Sequence, residues 1–274
     1  MLKVSLKSEK QIAAMAEGGE KLGQILTEVL EKVVPGNNTL EIDSWIEDGI
    51  INVGGEPSFK TVPRYHWSSC VGLNDEVVHS IPRKEKILKA GDLLKVDLGM
   101  LWEALHTDLS WTIMVGGDDP LVGGDVGGEK RKFLAAGEKA LEEAIKIAVP
   151  GNRVGHISGK IQEIIEGAGY QPVKILTGHG IGKKLHEDPL IPGVLRGRTE
   201  DTPELVEGMT IAIEVIYGLG SGDVVLENDG WTVSTKDGKI AGLFEKTIAV
   251  TSDGPLILTP LSGDGESRRG NFVC

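Results

Sequence analysis

Cysteine is nearly absent: Cys70 and Cys274 are the two in 274 residues, too few for a disulfide framework, and a reducing cytosol is the expected compartment. Aromatic residues make up 4% of the chain, so core volume has to come from aliphatic side chains. No run of about 18 apolar residues occurs, which excludes an ordinary transmembrane helix. Charges interleave through residues 1–10 where a secretory signal would need an apolar stretch, so a cytoplasmic protein is expected. Positive charge is also short. With 29 Lys and Arg against 41 Asp and Glu, the net charge is −12, which excludes an electrostatic binder of nucleic acid or anionic membrane. Glycine is abundant, with 38 residues, about twice the usual share, and implies many tight turns and close approaches.

From Ser8 to Val34, Ile12, Met15, Leu22, Ile25, Leu26, Val29 and Leu30 recur at three- and four-residue steps. Ser8 and Gln11 stand as a capping box, and the segment reads as an amphipathic helix. Thr39 to Ile51 repeats the helical pattern after the Pro35-Gly36 stop. Arg131 to Val149 and Val154 to Gly167 form a second such pair. The landmarks Val34-Pro35-Gly36-Asn37 and Pro57 recur 115 positions later as Val149-Pro150-Gly151-Asn152 and Pro172, which points to two related halves. The expected organisation is one domain over 1–260, with halves near 8–115 and 129–251 joined by Gly116 to Gly128. A flexible tail is expected over 261–274. Strand-like runs at Leu93–Met100, Leu105–Val115, Met209–Tyr217, Gly230–Ser234 and Leu243–Thr251 follow the helices. An α+β fold is predicted: a curved, mostly antiparallel sheet with helices on one face and room for a site on the other.

Asp97 and Asp108 lie in the first two runs. A hairpin turning between Trp102 and Glu103 would set them directly opposite each other, where like charges call for a cation between them. Glu214 and Glu245 fall inside apolar runs where an unpaired buried charge costs several kcal/mol. Each alone would read as an edge carboxylate facing water, but four in four strands favour a shared site. His179 and His186 flank alternating glycines, Gly178, Gly180 and Gly182, and so belong to extended or turn structure. A phosphate-cradling loop is disfavoured because no Gly-Lys-Ser/Thr follows. His79 alone would read as structural, and His66, His106 and His156 as structural or surface residues. Four carboxylates and a histidine suit two divalent ions, for which hydrolysis is the natural chemistry.

Together, Asn74-Asp75-Glu76-Val77-Val78-His79-Ser80-Ile81-Pro82, Asp97 and Asp108, Thr177-Gly178-His179-Gly180-Ile181-Gly182 with His186-Glu187-Asp188-Pro189, the run ending in Glu214, and Phe244-Glu245-Lys246-Thr247 resemble the methionine aminopeptidases over about residues 5–260. The resemblance implies the pita-bread (creatinase/aminopeptidase) fold with pseudo-twofold halves. It also implies removal of the initiator methionine from nascent polypeptides, with a small second residue preferred. Asp97 would bind one metal and Asp108 and Glu245 would bridge both, with His179 and Glu214 on the second; a metal-held hydroxide would attack the scissile carbonyl. The ions would be two of Co, Mn, Fe, Ni or Zn. Glu214 corresponds to the proton shuttle, His79 to a contact near the scissile amide, and His186 to the group steadying the carbonyl oxygen. Tyr65, Cys70 and Trp231 correspond to the methionine pocket.

This chain departs from the family pattern at Leu185, usually aromatic, at Val215, usually proline, and at Lys246, often histidine. Expected partners are nascent N-termini near the ribosome, with no nucleic-acid or membrane contact, and the chain would act as a monomer. X-Pro aminopeptidases and prolidases are the alternative enzyme reading, but they carry an extra N-terminal domain where about 60 residues precede Tyr65 here. A non-catalytic peptide-binding module on the same fold would be expected to lose ligands.

Overall fold

The computed structural model describes residues 4–117 and 125–262; residues 118–124 of the joining segment and 263–274 of the tail, with Cys274, lie outside the described residues. Helix α1 (Glu9–Lys32) begins at the expected capping box: Ser8 N donates to Gln11 Oε1 at 3.0 Å and Gln11 N to Ser8 Oγ at 3.4 Å. Helices α2 (Thr39–Asn52), α3 (Asp125–Lys146) and α4 (Val154–Gly167) follow. The strands of the first part are β1 (Glu56–Pro57), β2 (Ser69–Leu73), β3 (Glu76–Val78), β4 (Leu93–Trp102) and β5 (Leu105–Met114). Those of the second are β6 (Gln171–Pro172), β7 (Thr177–Gly180), β8 (Glu187–Pro192), β9 (Thr210–Gly218), β10 (Val224–Leu226), β11 (Val233–Thr235), β12 (Ala241–Thr251) and β13 (Gly254–Ile257).

The 115-residue offset recurs in the backbone. Helices α2 and α4 are each 14 residues long, and both ends are displaced by that offset, as are β1 and β6. Gly36 and Gly151 both take positive φ, at 101° and 87°. Strand β1 pairs with β4, and β6 with β9.

Ten strands form one sheet in the order β1-β4-β5-β12-β9-β7-β8, with β2 added on β4, β6 on β9 and β13 on β12, every pairing antiparallel. Strands β10, β11 and β3 make a separate small sheet. The expected run at Gly230–Ser234 becomes strand only from Val233. Asp229 Oδ1 accepts from Trp231 N and Thr232 N at 2.9 and 2.8 Å, which holds the preceding residues in a turn.

Side chains alternate between the faces of a strand. On the first half of the sheet Leu94, Val96, Leu98 and Leu109 pack with Leu22, Leu26, Ile42 and Ile46 of α1 and α2. On the second, Ile211, Ile213, Val215, Phe244 and Ile248 pack with Leu141, Ile157 and Ile161 of α3 and α4. These side chains are buried to within a few per cent, each contributing about 1.5–3 kcal/mol relative to exposure. The intervening residues Asp97, Asp108, Glu214 and Glu245 are thereby turned to the opposite face. Among the described residues no helix is long and apolar enough to cross a membrane.

Candidate active site

The strand register assembles the carboxylates. Asp97 pairs with Ser110, Ser110 with Glu245, and Glu245 with Glu214, a continuous row across β4, β5, β12 and β9. Cys70 on β2 extends the row beyond Asp97. A second row, two residues along the strands, holds Asp108 opposite Gly99 on one side and His179 opposite Ala212 on the other. Thr247, paired with Ala212, joins its halves: its Oγ1 accepts from Asp108 N at 3.0 Å and donates to Asp108 O at 2.8 Å.

The direct opposition of Asp97 and Asp108 is corrected here. The last pair of the hairpin is Trp102 with Leu105, and Glu103 and Ala104 form a two-residue turn with φ of 47° and 60°. Both central residues at positive φ define a type I′ turn. The register moves by two, so the two aspartates become diagonal neighbours on one face.

Ligand atoms of Asp108, His179 and Glu245 lie within 4.8 Å of one another, with all three side chains buried. His179 Nε2 is 3.5 Å from Glu214 Oε1, and His179 Nδ1 lies 2.9 Å from Gly180 O. Gly178 allows this strand in: a Cβ there would stand 2.4 Å from Ala212 O. His186 lies in the bend after β7, its ring centroid 4.4 Å from that of His179 and the planes 78° apart. His79 follows β3 at φ 55°, a conformation rare outside glycine.

Burial and mutual repulsion shape the charges. Desolvation first, then the charges of Asp108 and Glu214, pushes Asp97 well above the usual carboxylate range. Desolvation raises Asp108 to about 7 against the bond from Leu109 N. Glu214 and Glu245 are driven well up by desolvation and then by Asp108. Burial and then His186 lower His179 to about 4; His79 and His186 are exposed, yet partial desolvation in the cleft lowers them as well. Neutral imidazoles beside carboxylates strained by like charge form a donor set suited to divalent cations. Glu245 Oε1, buried and without a hydrogen-bond partner, fits the same conclusion, because a cation would satisfy it.

Beside this set lies an apolar cluster containing Phe59, Tyr65, Cys70, Ile81, Ile181 and Leu185, with Trp231 packed against it. Tyr65 donates to Ser69 O at 2.8 Å, its hydroxyl is 3.1 Å from Cys70 Sγ, and its ring meets that of Trp231 edge-on at 5.0 Å. All three residues expected at the pocket are therefore brought together.

Two further groups are buried near the site: His106, read from the sequence as structural or surface, and Lys95, which that reading did not single out. His106 is only 6% exposed, with Nδ1 2.8 Å from Ser58 Oγ. Its place on β5, two residues before Asp108 and so on the same face, was the available signal. Lys95, two residues before Asp97, is 2% exposed; its ammonium donates to Asn74 O at 2.9 Å and Ala241 O at 3.3 Å. His66 and His156 are exposed, as expected, and His156 Nδ1 accepts from Arg153 N at the start of α4.

A buried carboxylate–histidine cluster across an antiparallel sheet backed by helices offers a donor set for divalent metal ions. The profile of metallopeptidase family M24 matches residues 13–252, and the chain belongs to that family. It is 35% identical over 264 residues to the methionine aminopeptidase of Aquifex aeolicus, spanning 94% of this chain and 99% of that one. The crystal structure of the Thermotoga maritima methionine aminopeptidase superposes with a TM-score of 0.87 at 35% identity, over 93% of this chain and 99% of that chain. The architecture is thus the pita-bread fold. The Pyrococcus horikoshii prolidase shares that fold, with a TM-score of 0.73 at 23% identity, but this chain spans only 64% of it.

Proposed function

We propose that the chain is a cytoplasmic methionine aminopeptidase, a single catalytic unit over 1–260 built from two related halves, 8–115 and 129–251. It removes the first methionine from nascent polypeptides whose second residue is small. The observation that carries this reading is the two-row cluster of Asp97, Asp108, Glu214, Glu245 and His179 lying beside the Tyr65–Cys70–Trp231 pocket, in a chain so similar throughout to enzymes of that name. Asp97, Asp108, His179, Glu214 and Glu245 are the side chains that would hold two divalent ions. When bound they supply Lewis acidity and render water nucleophilic near neutral pH.

The chain's own residues do the rest. The apolar pocket takes the unbranched thioether, for which Tyr65 and Trp231 give aromatic edges and Cys70 a small polarisable wall. The carboxylates draw the free α-ammonium inward, since their field favours a cation. His186, an exposed imidazole whose pKa is lowered by partial desolvation, donates its N–H to the carbonyl oxygen as negative charge grows there. Glu214 accepts a proton from the attacking water and passes it to the leaving amine. His79 contacts the substrate near the scissile amide. Acting alone, close to the ribosome, belongs to the same reading.

The test is hydrolysis of Met-Ala-Ser, Leu-Ala-Ser, Ala-Pro and N-acetyl-Met-Ala-Ser by the metal-loaded protein. Preference for Met-Ala-Ser and inertness of the acetylated peptide are expected. Preference for Ala-Pro would place the chain with the prolidases, and inertness toward all four would leave a binding module.

A further inference from the structure

Residues 182–186, which carry Leu185 and His186, form neither helix nor strand. Their internal support is thin: Gly182 N donates to Lys184 O at 3.0 Å, and Lys184 N to Glu187 Oε1 at 3.1 Å. Outside the bend, His106 N donates to Gly182 O at 2.7 Å. Glu187 also accepts from Lys7, with Nζ 2.5 Å from Oε2 across 180 residues of sequence and side chains 2% and 9% exposed.

Lys7 is itself anchored. Its N–H donates to Gly208 O at 2.7 Å, its ammonium also reaches Ser5 O at 3.1 Å, and Leu6 bridges to Met209 just before β9. Its stem passes over Gly182 so closely that a Cβ there would lie 2.1 Å from Lys7 Cε. A glycine at 182 is what lets the lysine reach Glu187.

We propose that Lys7 and Glu187 are a positioning pair for His186: the N-terminal segment clamps the bend by a buried ion pair and so fixes the carbonyl-facing imidazole and the Leu185 wall. The inference rests on the reading of His186 as the donor to the substrate carbonyl. Exposed ion pairs contribute little, but this one is desolvated on both sides. Removing one partner strands a buried charge next to the reacting centre, whereas removing both does not compound the damage. A displacement of about 1 Å in a catalytic group can cost about a hundredfold in rate.

The experiment is a double-mutant cycle on the full metal-loaded chain with Lys7→Met, Glu187→Ala and the pair, reading kcat and KM on Met-Ala-Ser and amide exchange over 181–187 and 210–218. Each single variant should lower kcat by about ten- to a hundredfold with KM within about threefold, and should speed exchange in 181–187 but not in 210–218. The double variant should fall no further than the worse single. Gly182→Ala should reproduce Lys7→Met by displacing the lysine. Unchanged kcat and exchange in Lys7→Met would overturn the proposal, as would multiplying losses in the double or exchange rising equally in both segments. If the unmodified protein leaves Met-Ala-Ser intact, the functional reading fails and the exchange cycle alone decides whether the clamp exists.

Discussion

Asp108→Asn should make the metal-free protein more stable while abolishing its function. In the fold Asp108 titrates at about 7 against an ordinary 3.8, because it is 4% exposed and desolvated. Between those values the unfolded chain is ionised and the folded chain protonated, so folding takes up a proton. The contribution of Asp108 to stability therefore falls as pH rises from about 4 and levels off above about 7, by roughly 1.4 kcal/mol per unit and about 4 kcal/mol in all. Asparagine mimics the protonated acid, retains an acceptor for Leu109 N, now at 3.1 Å, and escapes the penalty. For a chain of this length 1 kcal/mol corresponds to about 2 °C. The chelator-treated variant should then melt about 8 °C above chelator-treated wild type at pH 8, and only about 3 °C above it at pH 5. Comparing the two proteins at each pH cancels the histidines, whose lowered pKa values act in the opposite sense below about 6.5. With Mn or Co added the order should reverse, because wild type gains the binding free energy of the ions and the variant loses a shared ligand. Scanning calorimetry at both pH values, with and without metal, is the assay. A metal-free variant that melts below wild type at pH 8, or equally above it at both pH values, would refute the reasoning.

Three other substitutions probe separate parts of the site. Glu214→Gln should reduce kcat by about 10² or more with two metals still bound by elemental analysis, as for loss of a positioned acid–base group; undiminished turnover would remove the shuttle role. Leu185→Phe should raise the preference for Met-Ala-Ser over Leu-Ala-Ser by about tenfold or more, since a pocket wall discriminates by about 1–3 kcal/mol, and an unchanged ratio of kcat/KM would take Leu185 out of the pocket. Thr247→Val strips the partners from the buried N–H and C=O of Asp108 and should cost about 3 kcal/mol in denaturant unfolding; a change below about 1 kcal/mol would mean that the strands re-pair directly.

What the sequence made legible was local and periodic. The capping box at Ser8 and Gln11, the paired helices and their common offset follow from spacings within one segment. Alternation along β4, β5, β9 and β12 placed each carboxylate opposite an apolar face. Contacts set by long-range assembly were not legible. Lys7 meets Glu187 across 180 residues, and the pairing of Glu214 with Glu245 depends on β12 returning beside β9 after β10 and β11 have joined β3 in the separate small sheet. His106 looked unremarkable because its partners, Ser58 and Gly182, come from two other parts of the chain.

The hairpin register was misjudged for a different reason, and the reason bears on the chemistry. Type I′ turns advertise themselves by Asn-Gly or Asp-Gly, whereas Glu103-Ala104 gives no such sign, so the turn centre was set one residue early. Moving the centre by one residue moves the register by two, and with a side-chain period of two the carboxylates stay on the same face; a register slip of one would have turned them into the helices. The shift changes their spacing. Directly opposed residues have Cβ atoms about 4.5–5.5 Å apart, and diagonal ones stand farther off, at roughly 7–8 Å. Asp97 and Asp108 thus border the site from two different rows, while Glu245 and Glu214 remain directly opposed. Donors arranged in two rows surround a volume, where a single row would line an edge. Asp108 and His179 stand in one row and Glu245 in the other, with ligand atoms within 4.8 Å of one another, and a divalent cation held between the rows would offset the like charge buried there.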